Sequence, residues 1–346
     1  MKQIMKQVRL IFILLIFLSS CAQDPIFNMI ANEIEPKDPK IKGSPSKLVR
    51  FNDDIYTANG KLWKYSDSNW SSIGAPSNIY DIAAGGNELY LLSVSGSNTT
   101  VYKLGGGSIW NSTGYNMIQG LYSDGAKPDA PVYAGAKRSS SDSSDYAILK
   151  ITGDSFEFEL AINSPLAGVA DSYFATATSG IYNRSTLTLI TGSPVYSIAG
   201  IIDTKPATEG VIAVTGNGRI LKVTANSIEE KTGSYPSFTG ALAIYKRDDM
   251  NTPFLLLGSK SGIYDLGYRE MSLDGNFVLS NPGDSIPYST VSDRDKYRST
   301  LAKCAVNSLI QVPDSTGGPD GLPIIFASTQ KDGLWSYRNN EWNAEE

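Results

Sequence analysis

A short hairpin motif recurs along the chain and constrains its fold more than any other feature. Its clearest copy, GKLWKYSDSNWSSIG at Gly60–Gly74, has the pattern of a strand, a polar turn and a second strand. In every copy a branched aliphatic residue precedes a large apolar residue at the fourth position. The seven copies of this pair are Leu62-Trp63, Val101-Tyr102, Ile148-Leu149, Ile181-Tyr182, Ile220-Leu221, Ile263-Tyr264 and Leu334-Trp335.

The spacing of these copies indicates the architecture. Successive large residues lie 39, 47, 33, 39, 43 and 71 positions apart. Strand hairpins that repeat about every 40 residues are typical of β-propellers. We therefore predict an all-β fold over residues 47–346, a seven-bladed β-propeller of four-stranded antiparallel blades. Residues 276–300, inside the longest interval, are predicted to be an insertion; a degenerate eighth blade is the alternative.

Segments rich in small residues precede the hairpins. We predict that they form the innermost strand of each blade, because blades narrow toward the axis of a propeller and leave little room for side chains there. The five clearest segments are Tyr80–Gly85, Leu166–Ala170, Tyr196–Gly200, Thr239–Ala243 and Leu301–Ala305.

The first 21 residues have the pattern of a targeting segment. Basic residues precede Leu10–Leu18, an unbroken apolar run of nine residues, which is too short to span a bilayer as a helix of about 20 residues. Leu18-Ser19-Ser20-Cys21 follows directly. This combination resembles the lipobox signal peptide of a bacterial lipoprotein.

The resemblance implies that residues 1–20 are a signal peptide, removed before Cys21. It also implies that Cys21 carries the lipid, palmitate included, so that the chain is anchored to a membrane without crossing it. The residue after Cys21 is Ala22 rather than Asp, which favours the outer membrane or the cell surface. Residues 21–46, with four prolines, are predicted to be the lipidated N-terminus and a flexible tether.

Composition argues against several functions. The chain has no histidine, so it lacks the commonest general base and imidazole metal sites. Without residues 1–20 it holds 27 Lys+Arg (30 minus 3) against 35 Asp+Glu, and this acidic balance makes a nucleic-acid partner unfavourable. With Cys21 lipidated, Cys304 has no partner for a disulfide. We expect no cofactor.

Acidic pairs are the remaining candidates for chemistry. None matches a calcium-binding loop, so we predict solvated turn residues and no metal site, and leave calcium binding open. The five tryptophans all fall in the hairpins, where the repeat favours core packing. The acidic pairs are Asp53-Asp54, Asp142/Asp145, Asp248-Asp249 and Asp293/Asp295.

Two loops on one predicted face, Lys137–Asp145 and 276–300, carry clustered cations. Arg and Tyr are enriched at the residues that dominate binding energy in protein interfaces. We predict that these loops contact a partner. The candidate residues are Lys137, Arg138, Arg294, Lys296, Tyr297 and Arg298.

We therefore predict a lipid-anchored propeller of the cell envelope that binds another envelope protein or a peptide and is not an enzyme. One alternative is a surface module that binds carbohydrate through exposed Tyr and Trp. A second alternative is a carboxylate-dependent hydrolase or lyase, which requires carboxylates to converge on the axis. Among the predicted inner strands and their ends, Asp81 and Asp171 are the acidic residues available.

Overall fold

The structure is a computed structural model. It describes residues 39–124, 129–138, 145–190, 198–203, 210–224, 227–231, 237–245, 254–259, 268–273, 279–280, 305–312, 324–338 and 341–345. Every regular element in these ranges is a β-strand, which confirms the all-β prediction. Within the same ranges there is no helix long and apolar enough to cross a membrane. Cys21 and the rest of residues 1–38 lie outside the described residues.

The strands form a β-propeller arrangement of antiparallel sheets, each built from strands consecutive in the chain. Sheet 1 contains β1 (Val49–Phe51), β2 (Asp54–Asn59), β3 (Lys61–Ser66) and β4 (Asn69–Ile73); sheet 2 contains β5 (Ile79–Gly85), β6 (Glu88–Ser95) and β7 (Asn98–Lys103); sheet 3 contains β8 (Met117–Tyr122), β9 (Tyr133–Lys137), β10 (Tyr146–Thr152) and β11 (Ser155–Ile162); sheet 4 contains β12 (Leu166–Ala170), β13 (Tyr173–Thr176), β14 (Gly180–Asn183) and β15 (Thr188–Leu189). Sheet 5 contains β16 (Ile198–Asp203), β17 (Val211–Thr215), β18 (Ile220–Val223) and β19 (Ile228–Lys231); sheet 6 contains β20 (Phe238–Tyr245), β21 (Phe254–Ser259), β22 (Tyr268–Leu273) and β23 (Leu279–Ser280); sheet 7 contains β24 (Val306–Gln311), β25 (Ile325–Thr329), β26 (Leu334–Arg338) and β27 (Glu341–Ala344).

The prediction of seven four-stranded blades is wrong, as is the alternative of eight. Six sheets have four strands, and sheet 2 has three. After β7 the chain turns through Gly105-Gly106-Gly107 and makes only one bridge back to β7, between Ser108 and Tyr102. Trp110 then bonds to the neighbouring sheet: its amide donates to the Asp154 carbonyl at 2.8 Å. The segment that would complete sheet 2 therefore borders sheet 3.

The apolar core lies between adjacent sheets. Each of seven clusters of buried side chains joins one sheet to the next. Sheets 7 and 1 are also packed together, because the Phe326 ring meets the Tyr65 ring edge-on at 4.7 Å and the Trp70 ring at 5.2 Å. The described residues thus close into a ring.

The first strands of successive sheets lie innermost and contact one another. Small residues permit this close approach, as predicted. A Cβ atom added to Gly200 of β16 would lie 2.5 Å from the Gly240 carbonyl oxygen of β20, far inside van der Waals contact. In sheet 7 the innermost described strand is β24, and residues 301–304 of the predicted segment lie outside the described residues.

Most predicted hairpins match observed strand pairs, but the one around Tyr264 does not. In sheet 6, β21 pairs with β22, and Gly258 lies opposite Tyr268. The strand predicted to be the fourth of this sheet is therefore its third. β23, inside the predicted insertion 276–300, is the fourth strand of sheet 6. Tyr264, the predicted anchor of this hairpin, lies outside the described residues.

Residues 39–46, the end of the predicted tether, lie against sheets 1 and 7. The Leu334 amide donates to the Ile41 carbonyl at 3.0 Å, and the Gly333 amide donates to the Gly43 carbonyl at 2.8 Å. On the other side the Ser46 amide donates to the Ala58 carbonyl at 2.7 Å. Ile41 is 1% exposed. This segment joins the first and last sheets.

Two faces of the ring follow from the strand order. The upper face carries the turns between second and third strands, such as Gly60 and Gly333. The lower face carries the turns between first and second strands, such as Asp171-Ser172. Pro39 packs beside Gly333, so the chain enters the ring at the upper face.

Candidate functional site

Arg138, which follows β9 on the upper face, forms a compact cluster with Tyr115 and Asp145. Its guanidinium carbon lies 4.7 Å from the centre of the Tyr115 ring, and its Nε lies 3.0 Å from an Asp145 carboxylate oxygen. The Tyr115 hydroxyl donates to the other oxygen of Asp145, also at 3.0 Å. Asp145, expected to be a solvated turn residue, therefore fixes the orientation of both neighbours.

Lys137, the other described candidate, points elsewhere. Successive side chains of a strand alternate between its faces, and Lys137 lies over the Tyr146 ring at 5.6 Å. Tyr146 packs toward sheet 4, whereas Tyr115 packs toward sheet 2. The structure thus places the two candidates on opposite sides of sheet 3. Arg294, Lys296, Tyr297 and Arg298 lie outside the described residues.

Exposed aromatic side chains lie along the outer edge of sheet 3. Phe158 is beside the Arg138 cluster, whereas Trp110 lies at the turn between β10 and β11, at the other end of the sheet. The Phe158 ring, 53% exposed, is 6.0 Å from the Tyr115 ring. Trp110, 69% exposed, bridges to Ser155 on the same outer strand. The expectation that every tryptophan packs in the core is therefore wrong for Trp110, although Trp70, Trp335 and Trp342 are buried. We call Trp110, Tyr115, Arg138 and Phe158 the rim surface.

A second cluster lies at the inner strands. The Lys47 ammonium is 2.8 Å from an Asp81 carboxylate oxygen, donates to the Leu121 carbonyl and sits 3.9 Å above the Tyr122 ring. Burial lowers the pKa of Lys47, but attraction by Asp81 and Tyr122 outweighs it, and the pKa lies above 10.5. Burial raises the pKa of Tyr122 above 10.0, opposed by Lys47.

Asp81 and Asp171, the acidic residues considered for catalysis, do not share a site. Asp81 accepts hydrogen bonds from Lys47 and from the Leu121 amide at 2.9 Å. Asp171 lies in the turn after β12, where its amide donates to Asp124 at 3.0 Å. These contacts orient backbone segments, and Asp81 does not line the cleft that Asp171 lines.

A cleft opens on the lower face between sheets 3 and 4. Its volume is about 380 Å³, within the range of small-molecule sites, about 300–1,000 Å³. Charged side chains of both signs line it, and they come from both sheets. The charged lining residues are Asp124, Lys150, Glu159, Asp171 and Arg184.

Arg184 is held in place at the sheet 4 side of the cleft. It donates to the Asp171 carbonyl and lies 5.1 Å from the Tyr133 ring centre and 5.7 Å from that of Phe174. Burial raises the pKa of Tyr133, and Arg184 opposes that rise. The cleft therefore has an immobilised cation above a buried phenol.

Lys150 and Glu159 also line the cleft, but the side chain of neither forms a hydrogen bond or ion pair in the part of the chain that the structure describes. A β-bulge accounts for the position of Glu159. On β11, Phe158 pairs with Leu149 and Leu160 pairs with Ile148, so Glu159 is the extra residue. Bulges redirect a side chain without ending the strand.

This cleft was not predicted from the sequence. Its residues are spread over three strands and three turns, and none belongs to a recognisable motif. Only Asp171 was considered, and for another role. Among the described residues no group of three or more Cys, Asp or Glu side chains is placed to hold a metal ion.

Comparisons with known proteins bear on the family and the fold. The model of the TP013X lipoprotein family matches residues 2–152, which include Cys21 and the chain through β10, and this confirms the resemblance to a lipoprotein. No curated protein matches the sequence. The crystal structure of the computationally designed Ika8 protein is similar with a TM-score of 0.51, at 9% identity, over 89% of this chain and 90% of that one. At this identity the likeness shows the fold alone.

Proposed function

We propose that this lipoprotein is a non-enzymatic binding scaffold of the cell envelope, anchored through a lipid on Cys21 once residues 1–20 are removed. Its partner is another envelope protein or a peptide, and not nucleic acid. The outer membrane or cell surface is the proposed location, because Ala22 follows Cys21.

The observation that carries the binding role is the rim surface. The exposed Phe158 stands beside an Arg held by a ring and a carboxylate, and the exposed Trp110 lies farther along the same outer strand. Trp, Tyr and Arg are the residues that most often dominate binding energy at interfaces. An Arg already held in one orientation loses less conformational entropy when a partner binds. These features favour a protein or peptide ligand.

Site-specific photocrosslinking in native membranes tests the proposal. A photoreactive residue at Trp110 or Phe158 is expected to capture one discrete partner. The same residue at Ser71, exposed on the outer strand of sheet 1, serves as control and is expected to capture none. Equal labelling at all three positions, or no labelling at the rim surface, would contradict the proposal.

The loop cations predicted from sequence need a separate test. Deletion of residues 286–299, which contain Arg294, Lys296, Tyr297 and Arg298, is expected to reduce capture at Phe158 while the far-ultraviolet circular dichroism is unchanged. Unchanged capture would remove these residues from the proposed interface without affecting the role of the rim surface.

Carbohydrate binding is the second candidate, favoured by the exposure of Trp110 alone. An aromatic face in solvent can stack on a sugar ring. A glycan array decides between the candidates: saturable binding that is lost in Trp110→Ala, but retained in Arg138→Ser, would favour carbohydrate over protein.

A further inference from the structure

The cleft on the lower face has unused charges of both signs. Lys150 and Glu159 are half-buried and lack partners in the described part of the chain. A partly desolvated charge without a partner is unfavourable, and a ligand charge of opposite sign offsets that cost. The cleft therefore fits a ligand that has both an anionic and a cationic group.

Ligands of one charge sign fit less well. An isolated anion such as phosphate would face three carboxylates, those of Asp124, Glu159 and Asp171. A metal ion would face Lys150 and Arg184 instead. A zwitterion satisfies both sets of charges, with its carboxylate directed to the cations and its ammonium to the acids.

We propose that the cleft binds a small zwitterion, an α-amino acid or a dipeptide with free termini. Lys150 pairs with the ligand carboxylate and Glu159 with its ammonium group. Arg184, fixed against two rings, forms the wall of the site. The site is distinct from the rim surface, since it lies between sheets 3 and 4, whereas Tyr115 packs toward sheet 2.

Isothermal titration calorimetry on the full-length protein in detergent tests this assignment with four probes. These are Ala-Ala with free termini, its N-acetyl form, its C-terminal amide and the doubly blocked form. Ala-Ala is expected to bind, each singly blocked form to bind about tenfold more weakly, and the doubly blocked form not to bind.

Two substitutions assign the charges. In Lys150→Met, Ala-Ala and its C-terminal amide are expected to bind with equal affinity, while the N-acetyl form still binds more weakly than Ala-Ala. In Glu159→Gln, Ala-Ala and its N-acetyl form are expected to bind with equal affinity, while the C-terminal amide still binds more weakly. Glu88→Gln, on sheet 2 and outside the cleft lining, and Lys61→Met, exposed on sheet 1, are the matched controls. Thermal unfolding of each variant verifies that it is folded.

Three results would overturn the proposal. These are no saturable binding of Ala-Ala at millimolar concentration, equal binding of free and blocked forms, or wild-type affinity in both cleft variants. None of these measurements depends on the rim surface, so this proposal and the proposed scaffold function can fail separately.

Discussion

The Lys47 ammonium lies 2.8 Å from the Asp81 carboxylate and joins the segment before β1 to the innermost strand of sheet 2. The pair is only partly buried, since the Lys47 side chain is 35% exposed to solvent and the Asp81 side chain is 9% exposed. Its contribution therefore falls between that of an exposed pair and that of a fully buried one.

Removing one partner is expected to destabilise the fold. Lys47→Met leaves the Asp81 carboxylate without its cation and should lower the free energy of unfolding by about 2 kcal/mol. The double variant with Asp81→Asn should lose less than the sum of the two single losses. Urea unfolding measures all three. Arg50→Met, which breaks the exposed pair with Asp53, should leave stability unchanged; strict additivity at Lys47 and Asp81 would contradict the coupling.

Stability is expected to fall at alkaline pH. Burial raises the pKa of Tyr122 above its ordinary value of 10.0, so above pH 10 the unfolded chain loses a proton that the folded chain keeps. The unfolded state then binds fewer protons, and the free energy of unfolding decreases as pH rises. Lys47, with a pKa above 10.5, acts in the same direction. Tyr122→Phe should show a shallower decline between pH 9 and 11; parallel declines would show that Tyr122 does not contribute.

The segment that joins sheets 1 and 7 is expected to stabilise the ring. Residues 38–346 form one compact unit, and Ile41 is buried within it. Truncation before residue 39 should therefore preserve the urea midpoint. Truncation before residue 47 removes Ile41 and its hydrogen bonds and should cost at least about 3 kcal/mol. Equal midpoints for the two truncated proteins would mean that the segment does not secure the ring.

A methyl group should not fit between sheets 5 and 6. Gly200→Ala places a Cβ 2.5 Å from the Gly240 carbonyl oxygen, and such overpacking costs about 1–3 kcal/mol. Gly74→Ala, where no atom lies within 4 Å of the added Cβ, is the matched control. A loss no larger than that of the control, measured by thermal unfolding, would refute the close contact.

The local sequence pattern predicted most strands, but it failed where strand pairing decides which segment joins a sheet. The hairpin at Gly60–Gly74 is observed as β3 and β4 with Tyr65 opposite Trp70, because alternation and turn residues are local properties. Sheet 2 was predicted to have a fourth strand because its hairpin pattern continues to Trp110. Instead the chain turns at three glycines, and Trp110 bonds to sheet 3. Which sheet Trp110 joins depends on packing between sheets, and the local pattern does not encode that packing.

The candidate site was predictable only in part. Arg138 was identified from its loop, but its contact with Tyr115 requires residues that are 23 positions apart in the chain to meet on sheet 3. The cleft depends on the packing of sheet 3 against sheet 4 and on the bulge at Glu159. Neither leaves a local signature in composition or spacing.

The hydrogen bonds of Ile41 and Gly43 to sheet 7 also have a mechanical consequence. With the proposed anchor at Cys21, tension from the membrane enters the described part of the ring through residues 39–43. The force acts where sheets 1 and 7 meet. The hydrogen bonds that hold residues 39–46 on these two sheets therefore also oppose separation of the sheets. A pull on the anchor would therefore part sheet 1 from sheet 7 before it disturbed the cleft between sheets 3 and 4.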